Sequence, residues 1–453
     1  MMRLWLVMGF LAACLGQVRA DLGEPGTFAA GYRQVSVTRA NGSTFTARLF
    51  YPALVAGENA AIDGSGGPYP GISFGHGFVQ AVSNYQSTLL HLASHGYLVI
   101  ATNSEGGLFP SHANFAADLL LSLTYLEQQN TLPGGFLEGL VDTAAFGLSG
   151  HSMGGGASIL AASDPRVRAI APLAAANTNP SSIAASSAFF VPVRHIVGSS
   201  DTIVTPATTI QMYNNSARAR QFVNLQGGFH CGFIDSQGFG CDTGSMTRGD
   251  QLRFTRRLLT EFFNLYLKGD QNAWRAVWFD EAQSDPRIVT TGEADSEISP
   301  AEANLSVRAG ATVTIPIDVF NRGPDVMTLT LEVVESPWPV AFEPAGVGPL
   351  AINASGKAVV RVVLPPEATL GQSTVIVAAR SGRDGGSRSI ARLALTVTCG
   401  GDFNGDKVVD FFDVQAFLAA FSDDDSSADF NGDGIFDFFD VQAFLASFSA
   451  GCG

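Results

Sequence analysis

The 453-residue chain carries 41 acidic against 26 basic side chains, a net charge of −15, and 46% of its residues are hydrophobic. That length exceeds one ordinary core and calls for two to four domains of soluble, folded composition. With no basic patch to release counterions, a nucleic-acid partner is excluded, and beyond residue 20 no stretch is apolar and long enough to span a bilayer.

Residues 1–20 read as a secretory signal peptide, with Arg3 at its positive start, a short apolar core, and Val18, Arg19 and Ala20 as an AxA-like cleavage site. A secreted or cell-surface protein beginning near Asp21 is expected. Leu11, Ala12, Ala13 and Cys14 also resemble a bacterial lipobox, which would anchor the chain through a lipid on Cys14.

Over 21–292, apolar runs alternate with helical periodicity, as an α/β domain requires. The expected strands are 34–38, 46–51, 71–74, 97–102, 144–148, 169–171, 191–197 and 221–225, and the expected helices 85–94, 114–127, 154–162 and 251–267. Their order predicts a mostly parallel wound sheet with an antiparallel opening and flanking helices. Residues 293–302 lose periodicity and read as a linker. From 303 to 398, runs of alternating or β-branched residues separated by turns predict an immunoglobulin-like β-sandwich.

The tail, 399–453, is acidic: 11 Asp against the single base Lys407. Residues 402–422 recur as 429–449, identical at 17 of 21 positions, so a two-copy module is expected. In each copy, oxygen-bearing residues stand at alternate positions, as a loop wrapped around one Ca²⁺ would place them. The ligands would be Asp402, Asn404, Asp406, the carbonyl of Val408, Asp410 and Asp413, then Asp429, Asn431, Asp433, the carbonyl of Ile435, Asp437 and Asp440. Two calcium ions are thereby expected in the tail, and no cofactor elsewhere.

Gly150, His151, Ser152, Met153 and Gly154 follow an apolar run and precede a helical one. That is how a strand, a sharp turn and a helix presenting a nucleophilic serine are spelled, with small residues two before and two after the serine so that strand and helix can pass closely. A serine nucleophile needs a base, and the base needs a carboxylate. Downstream of Ser152 the bases are His195, inside an apolar strand, and His230, in a loop after one; His230 is taken as the base. Asp201, beyond the end of the 191–197 strand, is taken as the acid, with Asp164 and Asp235 as rivals. The backbone amides of Met153 and of Phe78, in the loop after 71–74, are placed as oxyanion donors, and Phe78 and Phe229 as apolar walls. His76 and His151 are read as packing residues.

Cys14 is consumed by processing, and an even number of cysteines remains in an oxidising compartment. The favoured pairs are Cys231 with Cys241, beside His230, and Cys399 with Cys452, bracketing the tail.

The segments 77–100, 150–156 (GHSMGGG), 198–206 (GSSDTIVTP) and 227–231 (GGFHC) resemble the α/β-hydrolase group of cutinase-like polyester hydrolases, chlorophyllase-like esterases and dienelactone-hydrolase relatives. The resemblance implies a serine carboxylic ester hydrolase and gives Ser152, Asp201, His230, Met153 and Phe78 the same roles. Polyester hydrolases usually carry a ring-clamping tryptophan after the strand that follows the elbow helix; residues 171–176 read Ala-Pro-Leu-Ala-Ala-Ala instead, so an aliphatic or short acyl ester is expected. An acyltransferase, thioesterase or amidase would use the same residues, and an idle hydrolase shell serving attachment is the other alternative. The tail resembles a type I dockerin, small, helical and EF-hand-like, which implies a cohesin-like scaffold as partner. Its first loop carries Lys407 where such loops usually have glycine.

Overall fold

The computed structural model describes residues 21–451 except 239, 384 and 385. The expected signal peptide, Cys14, and the Cys452 half of the second expected disulfide lie outside the described residues.

Ten strands form one sheet: β1 (Ala29–Thr38), β2 (Thr44–Ala53), β3 (Gly57–Glu58), β4 (Tyr69–Gly75), β5 (Leu98–Thr102), β6 (Val141–His151), β7 (Val167–Leu173), β8 (Val193–Gly198), β9 (Arg220–Leu225) and β10 (Ile288–Glu293). Their order is β10-β9-β8-β7-β6-β4-β5-β2-β1-β3. Strands β4 to β9 pair in parallel, whereas β1 with β2, β2 with β5, and β10 with β9 are antiparallel. The helices are α1 (Gln86–Ser94), α2 (His112–Thr131), α3 (Met153–Ala161), α4 (Ser182–Ala185), α5 (Pro206–Asn215), α6 (Arg248–Leu267) and α7 (Trp274–Trp278).

Both faces of the sheet are covered, so its central strands are continuously apolar rather than alternating. In β5, Val99 and Ala101 join the core containing Leu89 and Leu92 of α1 and Leu258 and Phe262 of α6. Leu98 and Ile100 point the other way, to Phe115, Leu119 and Leu123 of α2 and Ala157 of α3. This is the two-residue period of a pleated strand. Two expected helices start three residues or fewer before the apolar pattern does, because their caps lie upstream: Ser111 accepts the Asn114 amide and Thr247 the Asp250 amide. Helix α5 opens on Pro206, whose preset φ suits the first helical position.

The segment 293–302, expected as a linker, joins two groups of strands. Glu293 closes β10, and the chain continues directly into β11 (Ser296–Ser299) and β12 (Glu302–Arg308). These short polar strands lie at sheet edges, half exposed, and so lack the apolar pattern by which strands are read. With β13 (Thr312–Asn321), β14 (Met327–Glu335), β15 (Val340–Glu343), β16 (Gly346–Leu350), β17 (Ser355–Val363), β18 (Gly371–Ser381) and β19 (Arg388–Thr398) they make two sheets, β11-β13-β17-β15 and β12-β19-β18-β14-β16. The sheets share one core, in which Val319 and Val360 face Leu329, Val377 and Leu393.

Two further helices, α8 (Phe411–Ser422) and α9 (Phe438–Ala450), form the tail. Phe417 and Phe444, equivalent residues of the two repeats, stack with ring centroids 4.2 Å apart and planes 5° from parallel. They centre a small core with Ala428 and Phe430, while Leu418 and Leu445 stay half exposed.

Candidate active site

Strand β6 delivers Ser152 to the C-terminal edge of the sheet, where the ligand crevices of open α/β sheets lie. Ser152 has φ 55° and ψ −115°, a strained conformation for a residue with a side chain. It is held there on both sides. Its amide donates to the Leu173 carbonyl at 2.9 Å, and its carbonyl accepts from Gly156 and Ala176 at 3.0 and 2.9 Å. The glycines allow the turn to close on β4: a Cβ on Gly154 would sit 2.1 Å from the carbonyl oxygen of Gly75.

His230 opens a short 3-10 turn, His230–Phe233, after β9. Its Nδ1 lies 2.7 Å from Asp201 Oδ2, with both side chains buried. An ionised carboxylate only accepts, so Nδ1 carries the proton and Nε2 is the basic nitrogen. Asp201 Oδ1 accepts from the amides of Ile203 and Val204 at 3.0 and 2.7 Å, which fixes the carboxylate. Ser152, His230, Phe78 and Ile203 line one cleft of about 200 Å³. Among the described residues Ser152 and His230 are not hydrogen-bonded to each other; nucleophile–base contacts are often loose before substrate arrives.

The turn that carries His230 is held by Gln251 and Asp242, which sequence reasoning did not single out, and by one expected disulfide. Gln251 of α6 is fully buried, and its amide both accepts from the Phe229 N–H and donates to the Phe229 carbonyl, at 3.0 and 2.8 Å. The carboxylate of Asp242 accepts from the amides of His230 and Cys231. Cys231 and Cys241 form a disulfide with Cα atoms 5.6 Å apart, closing a loop against the cleft. Only the last of these had a signal in the sequence, a pair of cysteines ten positions apart.

The other histidines pack. The Tyr85 hydroxyl accepts from Gly77 N–H and shares a hydrogen bond with His151 Nδ1, both at 2.9 Å. The His151 ring lies 4.5 Å from that of His230, tilted by 46°, and burial, then proximity to His230, hold it well below the ordinary histidine range. A neutral ring so placed does not oppose charge on His230. His76 joins the end of β4 to the carbonyl of Ser104 at 2.9 Å. His195 sits wholly inside β8, bonded to Ser216 Oγ at 3.0 Å. The rival acids are engaged elsewhere: Asp164 with Arg166, and Asp235 with the amide of Ser87.

Met153 is the first residue of α3 and is buried, whereas Phe78 lies in the turn after β4, 49% exposed. Val79 beside it has φ 54°, an outlier for a β-branched residue. Phe229 is a correction: its side chain is buried in the core that contains α6 and does not line the cleft. After β7, Ala174 and Ala175 are buried and present no ring.

A larger cavity of about 830 Å³ lies between the sandwich and the tail, lined by Arg308, Thr312, Asp402 and Phe403 among others. No serine–histidine–carboxylate group lines it. In the adjoining tail loops, Asp402 accepts from the amides of Gly405 and Lys407, and Asp429 from those of Gly432 and Gly434. Asp413 and Asp440 are fully buried, closing capping boxes with Asp410 and Asp437. Among the described residues no three His, Cys, Asp or Glu side chains converge as a metal site. Nor, among them, is any helix long and apolar enough to cross a membrane.

Residues 22–240 match a family model described as PETase, PET hydrolase-like. No curated protein matches the chain. The matched segment carries β1 to β9 and holds Ser152, Asp201 and His230, but stops before α6, the sandwich and the tail. Over that segment the chain is similar to PET hydrolase-like proteins, a family of ester hydrolases, and the large mixed sheet with its helices fits their α/β-hydrolase fold.

Proposed function

We propose that the protein is a serine carboxylic ester hydrolase. The observation that carries this is the 2.7 Å His230–Asp201 bond in the cleft that Ser152 enters from a strained elbow. Ser152 Oγ attacks the ester carbonyl and passes its proton to His230 Nε2, while Asp201 holds Nδ1–H and steadies the imidazolium. The amides of Met153 and Phe78 receive the charge on the carbonyl oxygen. His230 returns the proton to the departing alcohol, then activates the water that cleaves the acyl-enzyme. The cleft is below the ~300–1,000 Å³ of sites that enclose drug-sized ligands, and no ring platform follows β7, so short or aliphatic acyl esters suit it best. A fluorophosphonate should label one residue, with the mass shift on the peptide containing Ser152; labelling elsewhere, or none, would count against the triad.

For the tail we propose two calcium loops and attachment to a cohesin-like scaffold outside the cell. All the donors at alternate loop positions are hard oxygens, which fits Ca²⁺. Asp402, Asn404, Asp406, Asp410 and Asp413, with the Val408 carbonyl, would hold one ion, and the 429–440 repeat a second. Bound calcium would neutralise carboxylates that otherwise repel one another.

A further inference from the structure

The strongest unassigned feature beside the cleft is the carboxylate of Asp242. Its Oδ2 accepts from the amides of Thr202 at 3.1 Å and His230 at 2.9 Å, and its Oδ1 from the amide of Cys231 at 3.0 Å. Thr202 directly follows Asp201, so a single carboxylate joins the loop that carries the acid to the turn that carries the base. The roots of these two loops are already tied, Ser200 N–H to the Gly228 carbonyl at 2.8 Å and Gly227 N–H to Ser199 Oγ at 2.8 Å. Their tips meet through Asp242 and through the His230–Asp201 bond itself. Asp242 in turn is placed by its neighbour Cys241, which is tied covalently to Cys231, the residue after the base.

We propose that Asp242 is a positioning residue for the triad: it sets the separation of Asp201 and His230 by gathering the amides on either side of them, and the Cys231–Cys241 disulfide holds it in place. This rests on the serine-hydrolase reading. Three amides aimed at one ionised carboxylate are strong, directional bonds, and only a group with two acceptor oxygens satisfies all three. In Asp242→Asn one oxygen becomes a donor, and at least one amide loses its partner, while size and shape are kept.

The test compares wild type, Asp242→Asn, Asp242→Glu and Ser152→Ala by steady-state kinetics on a short p-nitrophenyl ester. It also follows the low-field proton resonance of the His230 Nδ1–H bond, identified by its loss in His230→Gln. The expected result for Asp242→Asn is a kcat lower by about 10- to 100-fold, the size of a small misplacement of catalytic groups. KM should stay within about twofold and the circular dichroism should be unchanged, with the resonance broadened or lost and Asp242→Glu recovering part of both. A wild-type kcat with an unchanged resonance would overturn the proposal, as would a loss confined to KM or matched by loss of folded protein. Full activity in Ser152→Ala would defeat the serine-hydrolase reading instead, and the resonance would still decide whether Asp242 holds the pair.

Discussion

Ser152 can adopt its strained backbone only because glycines stand where strand, turn and helix cross. At Gly154 an added methyl would lie 2.1 Å from the Gly75 carbonyl oxygen, a rigid backbone atom that cannot swing aside. Gly154→Ala should therefore destabilise the protein by about 1–3 kcal/mol, the range for overpacking a tight interior, and lower activity further by moving Ser152. Denaturant midpoints and kcat would both report this, and an unchanged midpoint would contradict the packing argument. The serine and its two glycines are legible in the sequence because the elbow's sterics permit few residue types. Asp242 and Gln251 are not, because nothing local distinguishes an aspartate or glutamine that bonds backbone from the many that face water.

Among the elements, the central strands and the helices with strong periodicity are readable, and the misreadings have physical causes. Strand β8 carries Arg194 within a largely apolar run and buries it completely. Its guanidinium is satisfied by Gln221 Oε1, the Leu258 carbonyl at 2.9 Å and the Val277 carbonyl at 3.2 Å, none of them near in sequence. Such long-range satisfaction decides burial and leaves no local mark. In the tail, Lys407 and Gly434 occupy the same repeat position with φ of 70° and 79°. A side chain in that left-handed region costs roughly 1–2 kcal/mol, so the first loop should bind calcium more weakly than the second. Lys407→Gly should tighten it by about tenfold, since ~1.4 kcal/mol is one decade. Calorimetry on the full chain reads both; a first loop tighter than the second would refute the argument.

At the scale of the whole molecule, the three parts are packed together. Ile376 of β18 belongs to the same core as α6 and α7, and Ser447 of α9 is buried with its hydroxyl donating to the Ala309 carbonyl at 2.7 Å. Ser447 is one of the four positions at which the repeats differ, Ala420 being its counterpart, so the second repeat faces the sandwich with a residue the first lacks. Acid should destabilise the part built on the ten-stranded sheet in a defined window. Burial lowers His91 and His195 from 6.5 to about 3, and drives His151 down as well. Below pH 6.5 the unfolded chain takes up protons that the folded protein refuses. The stability these groups contribute is complete above that pH and is lost as pH falls towards 3, by up to about 1.4 kcal/mol per unit for each histidine. Denaturant midpoints at pH 7 and pH 5 would measure it, and equal midpoints would contradict it.

The central claim, that Ser152 is the nucleophile of an ester hydrolase, is met most directly by rates on a series of short p-nitrophenyl esters for the wild type and Ser152→Ala. Loss of a triad nucleophile typically lowers turnover on the order of 10⁶-fold. Wild-type hydrolysis, fastest on short acyl chains, should fall to the uncatalysed background in the variant; equal rates in the two proteins would contradict a nucleophilic Ser152.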